Sequence, residues 1–321
     1  MESVINVEDL RVHYSTPLGP VKAVDGVSFA IKRGERFGLV GESGSGKTTT
    51  AFALLRLIES PGEIKSGSVF LGDTELLSLS NEDMRRVRFA RMSLIPQGAM
   101  NSLNPVMRIS HQLTDTIMAH GKDLPRESLE KRVPELLESV GLDPDVAAMY
   151  PHELSGGMKQ RVCIAMAISL RPQLIIADEP TSALDVVVQR QVMQTLQRVQ
   201  EELGASIIFV GHDMGLMAQF VDRIGVMYAG QLVEIGTVKE LFKDPKHPYT
   251  QLLIGSLPSL DTKRVFKGIK GLPPSLLNPP AGCSFNPRCP KVMDHCSRDE
   301  PRFHENEPGR WVACHLYGDQ P

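Results

Sequence analysis

The sequence lacks any apolar run approaching the ~20 residues that a helix needs to span a bilayer. It also lacks an excess of either charge: 35 Lys and Arg residues against 38 Asp and Glu residues leave a net charge of -3, so no basic surplus supports nucleic acid as the main partner. The first residues have neither the basic nor the apolar region of a signal peptide. We therefore expect a cytosolic protein without a membrane-spanning segment and without a nucleic-acid partner.

Cysteine is scarce and unevenly distributed. Cys163 stands alone, whereas the others lie near the C-terminal end, at Cys283, Cys289, Cys296 and Cys314. In a reducing cytosol such a cluster favours a metal site over disulfide bonds. The remaining composition, 41% hydrophobic and 23% charged over 321 residues, is typical of a globular chain with a sizeable core.

A glycine-rich loop, residues 41–48, follows the apolar run at 36–40 and precedes a stretch compatible with a helix. This order is typical of a cradle for nucleotide phosphates rather than of an ordinary glycine turn. The glycines allow several backbone N–H groups to converge on phosphate oxygens at the positive end of the helix. Lys47 can reach the β- and γ-phosphates, and the Thr48 hydroxyl can bind Mg²⁺. The candidate nucleotide-binding residues of the loop are Gly41, Ser43, Gly44, Ser45, Gly46, Lys47, Thr48 and Thr49.

The distribution of apolar residues predicts an α/β fold. Residues 4–31 alternate apolar and polar positions, as antiparallel strands with one buried face do. The bounded apolar runs at 174–177 and 206–210 are typical of parallel strands covered on both faces. Residues 107–150 are mostly helical in pattern, with a helix expected at 126–140. Beyond about residue 258 frequent prolines predict a separate, loop-rich appendage.

The apolar run at 174–177 ends in two carboxylates, Asp178 and Glu179. A carboxylate at the carboxyl end of a parallel strand beside the glycine loop can hold Mg²⁺ and its waters, which is the role predicted for Asp178. Glu179, one residue further on, can polarise the attacking water. A solvated strand end, or a cap for the next helix, is the alternative interpretation.

The octet at 154–161, Leu-Ser-Gly-Gly-Met-Lys-Gln-Arg, places a good helix N-cap, Ser155, before two glycines. Gly156 and Gly157 leave the amides of the helix start bare for an anion, whereas a plain helix cap would explain Ser155 alone. Together with the glycine loop and the acidic strand end, this octet resembles the ATP-binding cassette (ABC) ATPases. The resemblance implies that the octet binds the γ-phosphate held by a second ATPase subunit, with two nucleotides sandwiched between the two chains.

The same resemblance implies a domain organisation. We expect an ABC-type ATPase domain at 1–257, with a RecA-like parallel core, an antiparallel β subdomain and an α-helical subdomain at about 98–160. A small, loop-rich, metal-binding extension is expected at 258–321.

Four further residues match positions of the ABC family. Tyr14 resembles the aromatic residue that stacks on adenine, although a strand tyrosine also suits a core or an edge. Gln97 resembles the Q-loop glutamine, which contacts Mg²⁺ or the water and senses the membrane subunit. Asp185 lies in a segment that resembles the D-loop linking the two sites across the dimer, with a turn and helix N-cap as the alternative. His212 resembles the switch histidine that hydrogen-bonds the γ-phosphate, with a surface histidine at a strand end as the alternative. No element expected of the family is missing, so ATP hydrolysis is expected at this chain's own site.

The C-terminal cysteines indicate a particular branch of the ABC family. The spacing Cys283-x5-Cys289-x6-Cys296-x17-Cys314, with His-Pro-Tyr-Thr at 247–250 ahead of it, resembles the extension of oligopeptide and dipeptide importer ATPases. The resemblance implies a 4Fe-4S cluster on the four cysteines. Zinc bound by four cysteines and four unligated thiols stay open as alternatives, although these spacings are wider than those usual for structural zinc.

As a whole, the resemblance implies a transport motor on the cytoplasmic side of the cell membrane. Such a subunit pairs with itself or with a similar ATPase and docks on two integral membrane permease subunits. It would energise the uptake of di- and oligopeptides delivered by an external substrate-binding protein. Oligosaccharide or nickel uptake stays open as an alternative cargo. A soluble ABC ATPase outside transport is the other alternative, but it predicts tandem cassettes or long basic inserts, which are not found in this sequence.

Overall fold

The computed structural model describes residues 2–120, 126–257 and 268–318, so the expected domain boundary at 258 lies outside the described residues. The chain divides into two compact units. Unit 1 consists of Met1–Val4, Lys32–Glu35 and Ser78–Phe209. Unit 2 consists of Ile5–Ile31, Arg36–Leu77 and Val210–Pro321.

Strands and helices alternate along much of the chain, as an α/β fold requires. The strands are β1 (Ser3–Thr16), β2 (Gly19–Lys32), β3 (Arg36–Val40), β4 (Gly62–Leu71), β5 (Thr74–Glu75), β6 (Met92–Ile95), β7 (Leu174–Asp178), β8 (Ser206–Gly211), β9 (Arg223–Tyr228), β10 (Gln231–Thr237), β11 (His304–Glu307) and β12 (Arg310–Val312). The helices are α1 (Lys47–Leu54), α2 (Asn81–Val87), α3 (Ile109–His120), α4 (Arg126–Ser139), α5 (Gly156–Ile168), α6 (Val186–Leu203), α7 (Met214–Met217), α8 (Val238–Lys243) and α9 (Pro248–Gly255). Short 3-10 turns occur at Ala99–Asn101, Pro144–Ala148, Pro151–Glu153, Asn286–Arg288 and Asp294–Ser297.

In unit 2, strands β2, β1, β4 and β5 lie side by side, and β1 pairs antiparallel with β4. A second set of strands in this unit has the order β11-β12-β10-β9-β3, in which β3 and β9 are parallel. β12 pairs antiparallel with β10. The C-terminal extension is largely without regular structure, as its prolines predict, but this pairing attaches it to a sheet of unit 2. The sequence did not predict that attachment.

In unit 1, β6 and β7 are parallel, and the part of β8 up to Phe209 is next to β7 in the strand order. Every residue of β7 and β8 is buried, which explains why their sequences are continuously apolar instead of alternating. Helix α4 confirms the helix predicted at 126–140 to within one residue at its end. Within the described parts of the chain, we find no helix with both the length and the apolarity needed to cross a membrane.

Helix α9 begins at a buried histidine. The Nδ1 atom of His247 accepts a hydrogen bond from the Tyr249 N–H at 3.0 Å, and Pro248 occupies the first helical position, where an N–H is not needed. His247 is 1% exposed, and its own N–H donates to the buried Glu234 carboxylate at 2.9 Å. Burial lowers the pKa of His247 to about 3.

The buried His247 is expected to make stability depend on pH. Since the ordinary pKa is 6.5, the unfolded chain binds this proton between about pH 6.5 and 3 while the folded chain does not. The contribution of neutral His247 is therefore complete above about pH 6.5 and is lost as the pH falls. His247→Asn keeps an N-cap acceptor and should remove about 2 kcal/mol from the decrease in unfolding free energy between about pH 6.5 and 5. Urea denaturation at each pH measures this difference.

His152→Asn is the control, because His152 is exposed. It should leave the pH dependence as it is in the wild type. An unchanged pH dependence in His247→Asn would contradict the assignment of the effect to the buried imidazole.

Candidate nucleotide site and four-cysteine segment

The glycine loop joins β3 to α1 within unit 2. Gly46 is the N-cap of α1 with a φ of 100°, and a Cβ there would lie 2.2 Å from the Ala23 carbonyl oxygen. A Cβ on Gly41 would lie 2.2 Å from the Met227 carbonyl oxygen. These two positions therefore require glycine. Gly44 has a φ of 77° with open space where a Cβ would be, so the backbone here is accessible to a ligand.

The side chain of Lys47 lies over the loop. Lys47 is 6% exposed, and its Nζ donates to the carbonyl oxygens of Gly41 and Glu42, both at 2.9 Å, and to the Ser45 hydroxyl at 3.3 Å. Phosphate oxygens can replace such acceptors, and they bind an ammonium group more strongly. Thr48, in the first turn of α1, is half-buried. A buried ammonium group beside accessible amides fits a nucleotide phosphate.

Two further candidate residues lie in unit 2. Tyr14 is half-buried in β1 opposite Gly62, where a Cβ would lie only 2.6 Å from the tyrosine ring. His212 is exposed directly after β8, and Asp213 begins α7 by accepting the Leu216 N–H at 2.8 Å. Both side chains therefore retain surface through which they could meet a ligand.

The acidic strand end lies in unit 1. Asp178 is the last residue of β7 and is fully buried. Glu179 follows with a φ of 45°, a left-handed conformation that costs a non-glycine residue roughly 1–3 kcal/mol and that is concentrated at functional sites. The Gln97 side chain donates from Nε2 to Oε2 of Glu179 at 2.8 Å. The structure thus brings together Gln97 and Glu179, which were identified separately in the sequence.

The octet that contains Ser155 also lies in unit 1. Ser155 is the N-cap of α5, and its Oγ accepts the Met158 N–H at 3.3 Å. Ser155 and Gly156 are exposed, so this helix start is open to a ligand. A Cβ on Gly157 would lie 2.7 Å from the Val188 side chain. Gly157 therefore also serves packing against α6, a role that the sequence did not indicate.

Asp185 is the N-cap of α6. Its Oδ1 accepts the N–H groups of Val187 and Val188, both at 3.0 Å. The structure therefore contains the helix cap that the sequence offered as the alternative to a D-loop role. The exposed fractions of Val186 and Val187 are 79% and 68%, which leaves apolar surface beside Asp185.

In the four-cysteine segment, residues 283–314, two sulfur atoms accept backbone N–H groups. The N–H of Lys291 donates to the Cys289 sulfur and the N–H of Met293 donates to the Cys296 sulfur, both at 3.4 Å. Hydrogen bonds of this kind stabilise thiolates and tune metal clusters bound by cysteine. The segment is therefore suited to holding a metal group.

Burial, with the neighbouring thiols contributing less, raises the pKa of Cys283 to about 11 and that of Cys314 to about 11. A metal ion would reverse this effect because it binds the thiolate. Cys163, in unit 1, differs in its surroundings. Its thiol donates to the Ala99 carbonyl at 3.2 Å, and burial raises its pKa to about 12.

Two histidines that the sequence analysis missed lie beside the cysteines. One ligand atom each from His295, Cys296 and His315 lies within 4.8 Å of the other two. Among the described residues the four thiols do not gather within that distance, whereas a tetrahedral zinc site needs sulfurs about 3.8 Å apart. The adjacent pairs His295-Cys296 and Cys314-His315 were the sequence signal for these histidines.

Comparison with known proteins agrees with this geometry. The family described as ABC transporter matches residues 24–182, and the family described as oligopeptide/dipeptide transporter, C-terminal region, matches residues 233–296. The oligopeptide transport ATP-binding protein AppD of Bacillus subtilis is 42% identical over 100% of this chain and 98% of its own length. OppD of Escherichia coli, with the same description, is 44% identical over 98% of this chain and 93% of its own length.

Solved structures support the same assignment. A dimeric ATP-binding cassette, MJ0796, in a post-hydrolysis state bound to ADP and Pi, is similar with a TM-score of 0.65 and 27% identity. The match covers 73% of this chain and 98% of that one. The ABC resemblance and the α/β cassette fold inferred from the sequence are confirmed. The chain belongs to the ATP-binding proteins of ABC transporters, within the branch that carries the oligopeptide/dipeptide transporter C-terminal region.

Proposed function

We propose that this protein is the ATP-hydrolysing subunit of an importer for di- and oligopeptides. The proposal that the protein hydrolyses ATP rests on one observation, the hydrogen bond between Gln97 and Glu179 directly after the buried strand β7. The same chain has a buried lysine, Lys47, whose ammonium donates to the glycine loop. The peptide part is supported by relatives of nearly the same length, which are described as oligopeptide and dipeptide transport proteins.

The glycine loop is proposed to bind the triphosphate. Its amides and the Lys47 ammonium would contact phosphate oxygens, with Tyr14 stacking on adenine. Thr48, Gln97 and Asp178 are the proposed Mg²⁺ ligands. When bound, Mg²⁺ neutralises charge on the phosphates. The complete burial of Asp178 supports its role, because a buried carboxylate is stabilised by a cation.

Glu179 is proposed to be the base that orients and polarises the attacking water. The amide of Gln97 holds one oxygen of this carboxylate and so orients the group proposed to act on the water. The left-handed backbone at Glu179 supports a functional role, since this strain persists against the preference of the residue. His212 would donate a hydrogen bond to the γ-phosphate.

A second ATPase subunit is proposed to complete the site. The exposed helix start at Ser155, Gly156 and Gly157 would bind the γ-phosphate held by that subunit. Asp185 would link the two sites, and the exposed Val186 and Val187 beside it give this surface the apolar character of a protein contact.

We further propose that the paired subunits dock on two integral membrane permease subunits, peripherally on the cytoplasmic side, and import peptide delivered by an external binding protein. ATP binding and hydrolysis are assigned to residues 1–257, with a helical subdomain at about 98–160. The metal site is assigned to the extension at 258–321.

Co-expression with the permeases tests the proposed docking and peptide import directly. The ATPase should co-purify with the permeases in detergent, and peptide-loaded binding protein should stimulate ATP hydrolysis. Stimulation by an oligosaccharide- or nickel-loaded receptor would show instead that the transporter carries that cargo.

We propose that the four cysteines hold a 4Fe-4S cluster. The support is the backbone N–H donors at Cys289 and Cys296, together with sequence spacings of the cysteines wider than those usual for structural zinc. A structural role is proposed, because a metal group stabilises a segment with so little regular structure.

Lys47→Ala should weaken ATP binding by about a hundredfold, because the charged donor to the phosphates is removed while the loop remains. Isothermal titration with ATP and Mg²⁺ measures the change. Lys243→Ala, at an exposed lysine, is the matched control. Unchanged affinity in Lys47→Ala would show that the phosphates bind elsewhere.

Glu179→Gln should retain ATP binding, lower kcat by roughly 10²- to 10⁴-fold, and accumulate a closed dimer with ATP and Mg²⁺. Phosphate release and light scattering measure these two effects. Glu202→Gln, an exposed glutamate changed in the same way, should keep wild-type turnover. Full turnover in Glu179→Gln would rule out the proposed base.

Protein purified without oxygen should be brown and should contain about four iron and four acid-labile sulfide per chain. Cys289→Ser should lose most of both, whereas Cys163→Ala, which changes the cysteine outside the segment, should keep them. Colourless protein that contains zinc would show that the cysteines bind zinc and not an iron–sulfur cluster.

A further inference from the structure

Glu42, the second residue of the glycine loop, is joined by its side chain to the four-cysteine segment. The two Nη atoms of Arg288 donate to the two oxygens of the Glu42 carboxylate, at 2.7 and 2.9 Å. The exposed fraction of the side chain is 5% for Arg288 and 26% for Glu42. A two-point bond of this kind, largely shielded from water, is among the stronger polar contacts in proteins. Arg288 immediately precedes Cys289, so a single side chain connects the cysteines to the loop.

Arg288 is itself held in one orientation. Its Nε donates to the Lys270 carbonyl at 3.0 Å, and its Nη1 donates to the Tyr228 hydroxyl at 3.2 Å. Phe285, three residues earlier, packs against Tyr228 and Tyr249 with ring centroids 5.1 and 5.4 Å away. This aromatic packing fixes the 3-10 turn that carries Arg288, so the guanidinium is positioned before any ligand binds.

The backbone of Glu42 connects this contact to the phosphate-binding atoms. Its carbonyl oxygen accepts the Lys47 ammonium at 2.9 Å, and its N–H donates to the Tyr249 hydroxyl at 2.9 Å. Burial raises the pKa of Tyr249, so the phenol keeps its proton. Glu42 is therefore held at both its side chain and its backbone by residues outside the loop, while it touches the loop's own lysine.

The pair also has an electrostatic consequence. Glu42 is the acidic residue of the sequence Gly-Glu-Ser-Gly-Ser-Gly-Lys-Thr, and an uncompensated carboxylate there would repel a triphosphate. Arg288 compensates that charge. The four-cysteine segment therefore supplies the cation that makes an acidic residue compatible with an anion site.

We propose that Arg288 is a positioning residue of the ATP site, which holds the glycine loop in its phosphate-binding form through Glu42. ATP affinity then depends on the folded state of the four-cysteine segment. Arg288 acts through Glu42 and Tyr228 and does not itself contact the phosphates.

Arg288→Ala is the first test. It should raise the Kd and KM for ATP by about tenfold, in the range typical of coupling between two sites, while kcat at saturating ATP stays near the wild-type value. Arg288→Lys keeps the positive charge but loses the two-point hydrogen bond to the carboxylate, so its ATP affinity should lie between those of the wild type and Arg288→Ala. Arg298→Ala, at an exposed arginine of the same segment, should bind ATP as the wild type does. Wild-type affinity in a folded Arg288→Ala variant would overturn the proposal.

A double-mutant cycle with Glu42→Gln separates this contact from general destabilisation. Because Arg288 acts through Glu42, Arg288→Ala/Glu42→Gln should bind ATP no more weakly than Arg288→Ala alone. Strictly additive losses would show that the two side chains act independently and would overturn the proposal. The fluorescence of Trp311, the single tryptophan, reports on the extension in each variant. If Arg288→Ala does not fold, the same double-mutant cycle is run with Arg288→Lys, and strictly additive losses in that cycle would overturn the proposal.

The dependence of ATP affinity on the cysteines rests on the proposed metal site, and a separate experiment tests it. Cys289→Ser should weaken ATP binding in the wild-type background but add little in the Arg288→Ala background, since the route to the loop is already broken. An equal loss in both backgrounds would overturn the link. Wild-type protein that lacks iron and zinc would refute the metal site, whereas the cycle between Arg288 and Glu42 would still be decided on its own data.

Discussion

The glycine loop lies against two backbone carbonyls so closely that neither Gly41 nor Gly46 can carry a Cβ. Those carbonyls belong to Met227 in β9 and Ala23 in β2, so two strands of unit 2 set the start of helix α1. The direction of the helix start determines where its bare amides point, and Lys47 follows directly. The conformation of the glycine loop therefore depends on how unit 2 is assembled and not on the loop sequence alone.

Unit 1 contains backbone strain at Glu179, directly after a buried strand. β7 is buried along its whole length and ends at Asp178, and the chain then enters a left-handed conformation at Glu179. Such a conformation persists only where the surrounding structure imposes it, and the buried strand on one side provides that restraint. The hydrogen bond from Gln97 gives the carboxylate a defined orientation. The strained backbone and the hydrogen bond together restrict the Glu179 carboxylate to a defined position.

The C-terminal extension is integrated into unit 2 through contacts of three kinds. β12 adds to the sheet beside β10, Phe285 enters an aromatic group with Tyr228 and Tyr249, and Arg288 binds the glycine loop at Glu42. A segment with little regular structure gains order from such contacts. The same contacts connect the segment to the glycine loop, because they end on Glu42, whose carbonyl oxygen accepts the Lys47 ammonium.

The sequence by itself determined the chemistry of this protein. The glycine loop, the acidic strand end, the Ser155 octet and the four cysteines are local patterns, and so are the apolar runs that became β7 and β8. Only the tertiary structure decided that Gln97 meets Glu179, that two histidines lie beside Cys296 and that Arg288 meets Glu42. These contacts join residues far apart in the chain or on irregular loops, and their distances are set by packing, which no local periodicity encodes.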